Sequence, residues 1–281
     1  MMQNSTESYC EKYPDVTIIT VCKNAGEDLV DTCKSVLSQE GVNIQFVVQD
    51  GVSTDNTVTY LNNLQDSRID LLSEPDSGIY DAMNRATERV KGKWCIYINA
   101  GDCFYSSESL MRILSEAEAE ADTELFVFGC YNEYDKTVTI TPRKVSSYFL
   151  YRNGIYHQAQ LWRVEVLRQY LPFDTSYQVT ADHNLLVRAF FSGIKIKSSK
   201  TISVSYKDGG FSAMPSMQSI INTERSRTLN TYLTPYKRYL YSIFEVIFLK
   251  SLRMHFIRNL RGTIMFRFYK LFINYINHVF G

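Results

Sequence analysis

Short apolar runs alternate with segments of helical spacing over the first hundred residues of the chain. Four runs predict strands, at residues 16–22, 44–48, 69–72 and 94–98. The first two are apolar on both sides of their alternation, which is typical of strands buried inside a parallel sheet. Between them, apolar residues recur at helical spacing from Leu29 to Leu37. Repeated strand-helix-strand units are joined by right-handed crossover connections, so the pattern predicts a mostly parallel α/β sheet flanked by helices.

The later part of the pattern is more varied. It predicts a β-hairpin in residues 126–142, a strand at 156–162, a helix at 185–190 and an edge or half-solvated strand at 194–206. Gly193 ends the predicted helix, and Asp182 lies near its amino end.

Two acidic residues follow predicted strands at what should be the same edge of the sheet. Asp50 ends the second strand, and Asp102 follows the fourth strand in the segment NAGD. A nucleotide lying across that edge could meet Asp50 at its ribose or base, and Asp102 at its diphosphate through a metal ion. Ordinary surface turns are the alternative interpretation. The chain has no GxGxxG or GxxxxGK[ST] segment, which argues against dinucleotide-binding and P-loop proteins.

Composition indicates the size of the domain that contains this site and the compartment in which the protein works. The chain has 281 residues, 45% of them hydrophobic, enough for one large α/β domain with an appendage. Its six cysteines have no CxxC spacing, so we expect free thiols in a reducing compartment and no zinc site. The polar first fifteen residues lack the apolar segment of a secretory signal, and we therefore expect a cytoplasmic protein.

The sequence also carries the motifs of a known family. TIITVCKNAGEDLVDTCKSVLSQEGVNIQFVVQDGVSTDNT resembles the amino-terminal signature of family 2 glycosyltransferases with the GT-A fold. SEPDSGIYDAMNRA and YINAGDCF resemble the branch with GIYDAMN and xxGD motifs, and the resemblance covers about residues 16–212. It implies a Rossmann-like GT-A domain and a transferase that uses a nucleotide-sugar donor. Such enzymes are typically inverting and often make bacterial capsule, exopolysaccharide or lipopolysaccharide.

The resemblance implies roles for individual residues on the donor side. The donor-binding residues would be Thr20, Val21, Asn24, Asp50, Asp81, Asn84, Asn99 and Gly101. Asp102 matches the last acid of the family's metal motif and would bind Mg²⁺ or Mn²⁺. The first acid of that motif is missing, and Val52 stands where the family usually has glycine. One carboxylate in place of two should weaken the affinity for the metal.

The resemblance also assigns the acceptor side. His157 and Gln158 match an element near the acceptor, although a lone histidine on a strand is more often structural. Asp182 matches the general base that takes a proton from the attacking hydroxyl, the alternative being a helix cap. Residues 207–212 resemble a loop that closes over the donor, the alternative being an ordinary connecting turn.

The carboxyl-terminal segment differs in net charge from the rest of the chain. From residue 236 onward, eight lysines and arginines stand against one glutamate, a net +7 that leaves −7 for the rest. Its apolar stretches fall short of the roughly 18 residues that a bilayer-spanning helix needs. A basic, aromatic-rich helix of this kind favours the surface of an anionic membrane. Helices packed on the catalytic domain, or an oligomer interface, are the alternatives, and nucleic acid is a poor fit because the remainder is acidic.

We therefore divide the chain into a polar segment at 1–15, a GT-A domain at 16–234 and a basic helical tail at 235–281. We expect a glycosyltransferase that acts on a saccharide or lipid-linked acceptor at the inner face of the cytoplasmic membrane. The alternative is a catalytically weak nucleotide-sugar-binding or scaffold protein of the same fold. A nucleotidyltransferase is disfavoured because no glycine-rich phosphate loop follows the first strand.

Overall fold

The computed structural model describes residues 13–207 and 214–247, without the side chains of residues 246 and 247. Most of the predicted polar segment, the loop after Lys207 and most of the basic tail lie outside the described residues.

The described residues form nine strands and nine α-helices. The strands are β1 Val16–Cys22, β2 Ile44–Asp50, β3 Ile69–Ser73, β4 Trp94–Tyr97, β5 Cys103–Phe104, β6 Leu125–Asn132, β7 Val138–Thr139, β8 Gln160–Arg163 and β9 Ile196–Tyr206. The helices are α1 Gly26–Leu37, α2 Thr57–Asn63, α3 Ile79–Glu88, α4 Ser109–Ala119, α5 Ser147–Arg152, α6 Val164–Tyr170, α7 Ala181–Phe191, α8 Gln218–Tyr232 and α9 Pro235–Ile247.

The strands form one mixed, mostly parallel sheet in the order β3-β2-β1-β4-β8-β6-β9-β5, with β7 paired to β6. The strands β3, β2, β1, β4, β6 and β9 run in one direction, and β5, β7 and β8 run in the other. Almost every residue of β1 and β2 is buried, as their apolar runs predict. The fold class predicted from the sequence is confirmed.

Strand register fixes the edge at which the predicted site lies. In the parallel pairing of β1 with β2, Cys22 faces Asp50, and in the pairing of β1 with β4, Ile19 faces Tyr97. The chain therefore leaves β2 at Asp50 and β4 just before Asn99 at the same, carboxyl-terminal edge. Ligands of open α/β sheets bind beyond this edge.

One predicted strand needs correction, and the half-solvated strand predicted at 194–206 is found. Residues 157–159 form a 3₁₀ turn, and β8 begins only at Gln160, where pairing with β6 starts. His157 therefore lies on a turn that faces the carboxyl edge and not on a strand. The last strand, β9, lies between β6 and β5, but β5 covers only Val204 and Ser205. The first half of β9 thus pairs on one side alone, which accounts for its polar alternation.

The predicted hairpin is found, and the described cysteines form no disulfide. β6 and β7 pair antiparallel between Cys130 and Thr139, as the hairpin pattern predicts. All five described cysteines are free, and burial raises the pKa of the Cys33 and Cys130 thiols to about 12. These thiols are therefore protonated and unreactive near neutral pH.

Candidate active site

The turn that follows β4 is built around a buried threonine of α1. The hydroxyl of Thr32 donates to the carbonyl oxygen of Asp102 at 2.9 Å and accepts the amide of Gly101 at 3.0 Å. The amide of Asp102 donates to the carbonyl oxygen of Asn99 at 2.9 Å. Gly101 has a φ of +98°, which a residue with a side chain would adopt only with strain. This sharp turn fixes the backbone from which the Asp102 side chain projects.

The carboxyl group of Asp102 is largely buried, and no lysine or arginine of the described residues forms an ion pair with it. Its side chain is 13% exposed, and burial raises its pKa to about 7. The nearest described basic group is His157, whose Nε2 lies 3.9 Å from Oδ2 of Asp102. An uncompensated carboxylate in a polar, partly closed site is one that a bound cation would stabilise.

His157 lies between two acidic side chains. Its Nδ1 is 3.8 Å from Oδ2 of Asp182, on the side opposite Asp102. Burial lowers the pKa of His157, an effect that the carboxylate of Asp182 partly offsets, so the imidazole is neutral at pH 7. The amide Nδ2 of Asn99 lies 3.1 Å from Nε2. With that amide as donor, Nε2 accepts and the ring proton sits on Nδ1, facing Asp182.

Asp182 occupies the first turn of α7 without capping it. No backbone amide donates to its carboxylate in residues 13–207 or 214–247; instead, Oδ1 lies 3.0 Å from the hydroxyl of Tyr80. The carbonyl oxygen of Val179 lies 2.5 Å from the same hydroxyl, and these two acceptors share its single proton. Burial, the charge of Asp182 and the hydrogen bond to Asp182 raise the pKa of Tyr80 well above its usual range. The carboxylate of Asp182 is therefore held by a neutral phenol and faces a neutral imidazole.

A guanidinium group from α8 adds positive charge near this carboxylate. Burial lowers the pKa of Arg225, and attraction to Asp182 raises it in part. Arg225 donates to the carbonyl oxygen of Asn153 at 2.7 Å, just before the segment that carries His157. The site is thus closed on one side by a helix from the carboxyl-terminal part of the chain.

Asp50 and its neighbours shape the sheet edge next to this cluster. The carboxylate of Asp50 is fully buried and accepts from the amide of Ser53 at 2.9 Å and the hydroxyl of Ser73 at 2.6 Å. Thr20 is buried and donates to the carbonyl oxygen of Ile98, and Val21 is also buried. Their direct contact with a donor stays a prediction.

The other predicted donor residues hold loops together. Asn24 accepts the amide of Thr54 at 2.7 Å and so joins the loops that follow β1 and β2. The carboxylate of Asp81 accepts the amide of Ser77 at 2.8 Å, which lowers the pKa of Asp81. The side-chain amide of Asn84 pairs twice with the backbone of Phe173: its oxygen accepts the amide at 2.7 Å, and its nitrogen donates to the carbonyl oxygen at 3.0 Å. In this structure, therefore, Asn84 supports the wall of the site from outside.

Two amide oxygens beside the cluster have no partner. The oxygen Oδ1 of Asn99 and the oxygen Oε1 of Gln158 are buried and accept no hydrogen bond from the described part of the chain. Amide oxygens are good ligands for divalent cations. The unpaired oxygen of Asn99 belongs to the same turn as Asp102.

Sequence reasoning missed Tyr80 and Thr32. Tyr80 belongs to the GIYDAMN segment and lies four residues before Asn84, on the same side of α3. That spacing could have placed it beside the site. The role of Thr32 had no signal in the sequence, because its contacts join residues about seventy positions apart.

Together, the sheet and the acidic cluster define an α/β protein with a candidate active site at the carboxyl edge of a mostly parallel sheet. The glycosyl transferase family 2 model matches residues 17–186, and the chain belongs to this family. The matched segment contains Asp102, His157 and Asp182. The protein is therefore a glycosyltransferase.

The relatives agree with this assignment. A Mycobacterium tuberculosis protein, named as a PGL/p-HBAD biosynthesis glycosyltransferase, is 28% identical over 186 residues, which cover 63% of this chain and 70% of the relative. The fold resembles that of S. aureus TarS 1-349 in complex with UDP-GlcNAc, with a TM-score of 0.64, 13% identity, and coverage of 89% of this chain and 77% of TarS.

A mannosyltransferase from Pyrobaculum calidifontis has been solved with GDP-Man and Mn²⁺. It has a TM-score of 0.56 and 15% identity, and the match covers 86% of this chain and 82% of that enzyme. At these identities the two structural matches show the fold alone.

Proposed function

We propose that this glycosyltransferase moves a sugar from a nucleoside-diphosphate donor to a hydroxyl group of a saccharide or lipid-linked acceptor, with inversion at the anomeric carbon. The observation that carries the proposal is the convergence of Asp102, His157 and Asp182 at the carboxyl edge of the sheet, with His157 within 3.9 Å of both carboxylates. Two structurally similar proteins with bound UDP-GlcNAc and GDP-Man support a nucleotide-sugar donor.

Asp182 is the base in this mechanism. Its Oδ2 accepts the proton of the acceptor hydroxyl while the acceptor oxygen bonds to the anomeric carbon of the donor. The bond from that carbon to the diphosphate oxygen breaks, and the nucleoside diphosphate leaves. Tyr80 orients Oδ1, and the neutral His157 limits the positions that Asp182 can adopt. A base held in hydrogen-bond reach contributes about 10²- to 10⁴-fold in rate.

Asp102 and the unpaired amide oxygen of Asn99 would hold Mg²⁺ or Mn²⁺. The fit rests on a largely buried carboxylate that no described lysine or arginine balances, and on an amide oxygen that accepts no hydrogen bond from the described residues. Within the described residues, no group of three or more histidine, cysteine, aspartate or glutamate side chains could hold a metal. The donor's phosphate oxygens would complete the coordination. A bound divalent cation neutralises the charge that develops on a leaving diphosphate.

We further propose that the acceptor belongs to a cell-surface polysaccharide or glycolipid and that the tail holds the enzyme at the cytoplasmic membrane. The tail's first helix, α9, exposes Tyr236 and Tyr239 beside Lys237 and Arg238, which suits an anionic surface. The same helix buries Tyr241 against Tyr148 and Tyr151 of α5. It can therefore dock on the domain and still present a basic, aromatic face. Among the described helices, none is long and apolar enough to cross a bilayer.

A donor screen tests the proposal. Melting temperature is measured with UDP, GDP and other nucleoside diphosphates, each with and without Mn²⁺, because a ligand that binds only the folded protein raises it. The best nucleotide is then supplied as its sugars, with simple alkyl glycosides as acceptors, and nucleotide release is followed. We expect one nucleotide to stabilise the protein more with Mn²⁺ and its sugar to be turned over. Stabilisation by none of the nucleotides would contradict the proposal.

A further inference from the structure

The helix α8 lies beyond the family-matched residues 17–186 but reaches the active site. Its Glu224 is buried, with 7% of its surface exposed, and points at the segment that precedes α7. One carboxylate oxygen accepts the amide of Gln178 at 2.5 Å. The other accepts the amides of Val179 and Thr180 at 3.1 and 2.9 Å and the hydroxyl of Thr180 at 3.0 Å.

One carboxylate thus binds three successive backbone amides immediately before Ala181 and Asp182. Its negative charge lies near the amino terminus of α7, where the helix dipole stabilises an anion. The carbonyl oxygen of Val179, within the same clamped segment, accepts from Tyr80. The segment is therefore fixed from both sides, and Asp182 follows it by two residues.

We call the contact of Glu224 with residues 178–180 the clamp. Packing alone would not require a charged residue at this position. Glu224 forms no ion pair in the part of the chain that the structure describes, so its charge is offset by N–H and O–H dipoles alone. A buried charge of this kind adds little to stability compared with an apolar residue of similar volume. It does fix geometry, because four donors must converge on two oxygens.

We propose that Glu224 is a positioning residue for glycosyl transfer. By holding residues 178–180 it places Oδ1 of Asp182 at the hydroxyl of Tyr80 and Oδ2 towards His157. The proposal rests on the proposed function, because it takes Asp182 as the base. Glu224 acts through Asp182 and does not touch the substrate.

The experiment is a double-mutant cycle between Glu224→Gln and Asp182→Asn. Glutamine has nearly the same shape, but its NH₂ group donates and cannot accept, so at least one backbone amide of residues 178–180 loses its acceptor. Single-turnover release of nucleoside diphosphate is measured per mole of nucleotide-binding sites, using the best donor and acceptor of the screen. The matched control is Glu165→Gln, the same chemical change at an exposed position of α6.

We expect Glu224→Gln to lower the rate of transfer by about 10²-fold, the scale of a 1 Å misplacement. Its nucleotide affinity should match that of the wild-type protein. In the Asp182→Asn background the same change should lower the rate no further, because the base that it positions is absent. Glu165→Gln should leave the rate unchanged in both backgrounds.

The contradicting outcomes are distinct. If Asp182→Asn slows transfer and Glu224→Gln does not, the positioning role is wrong and the proposed function stands. An equal loss in both backgrounds would also refute it, because Glu224 would then act independently of Asp182. If Asp182→Asn itself retains full rate, both the base assignment and the positioning role fail.

A second variant covers the case in which Glu224→Gln does not fold. Thr180→Val keeps the side-chain shape and every backbone amide but removes one hydrogen bond to Glu224. It should lower the rate several-fold in the wild-type background and not at all beside Asp182→Asn. A wild-type rate for Thr180→Val in a protein that requires Asp182 would overturn the proposal.

Discussion

Replacing Asp102 with asparagine should stabilise the metal-free protein at alkaline pH. In the folded chain, burial raises the pKa of this carboxyl to about 7, whereas the unfolded chain has the ordinary value of 3.8. The folded state therefore holds the proton more tightly. The free energy of unfolding falls as the pH rises from about 4 to about 7, and the full penalty persists above that range.

The size of the effect follows from the pKa difference. A shift of about three units corresponds to roughly 4 kcal/mol at pH 8, an upper limit because the site can relax on ionisation. Asparagine has the same shape and no charge, so Asp102→Asn removes the penalty. Near pH 4 the aspartic acid is protonated in the folded protein, and the two proteins should differ little. Other carboxyl groups titrate in both proteins and cancel in the comparison.

The assay is urea unfolding at pH 4.5, 6 and 8 in the presence of a chelator. We expect Asp102→Asn to gain stability progressively over that range. In a separate series, with Mn²⁺ and nucleotide in place of the chelator, the variant should lose the stabilisation that these ligands give the wild-type protein. Asp122→Asn is the control, because that exposed carboxylate pairs with Lys195, which lowers its pKa. Control and test variants that behave alike, or a gain at pH 8 no larger than at pH 4.5, would refute the reasoning.

Three further outcomes can be checked. Val52 has a φ of +59° and is exposed, so Val52→Gly should stabilise the protein by about 1 kcal/mol in urea unfolding, and a loss would contradict the strain. Tyr241 is fully buried and bonds the hydroxyl of Ser147, so Tyr241→Ala should destabilise the protein by about 3–5 kcal/mol; an unchanged melting curve would mean that α9 does not dock. The full-length protein should float with anionic vesicles and bind them less at high salt, and failure to float would exclude the membrane role.

The strands of the first half were predictable because short apolar runs in the sequence indicate their burial. Residues 16–22 are predicted and found as β1, since a strand buried on both faces favours apolar and β-branched residues on both sides of its alternation. The position of Asp50 and Asp102 at one edge followed from parallel pairing alone. Predictions of this kind need no knowledge of which distant residues touch.

The parts that could not be predicted depend on such distant contacts. The strand β8 enters antiparallel between β4 and β6, so residues 157–159 turn towards the carboxyl edge and bring His157 to Asp102 and Asp182. Glu224 looks like an ordinary surface residue of a polar helix until α8 packs against α7. Contacts between residues distant in sequence determine the positions of His157 and Glu224, and no local sequence pattern predicts such contacts.

The central claim is that sugar transfer occurs at this cluster with Asp182 as the base. The most direct measurement compares the single-turnover rate of Asp182→Asn with that of the wild-type protein, alongside the dissociation constant of the nucleoside diphosphate in Mn²⁺. The account predicts a rate about 10²- to 10⁴-fold lower with unchanged nucleotide affinity. An unchanged rate, or a small loss that follows a fall in melting temperature, would contradict it.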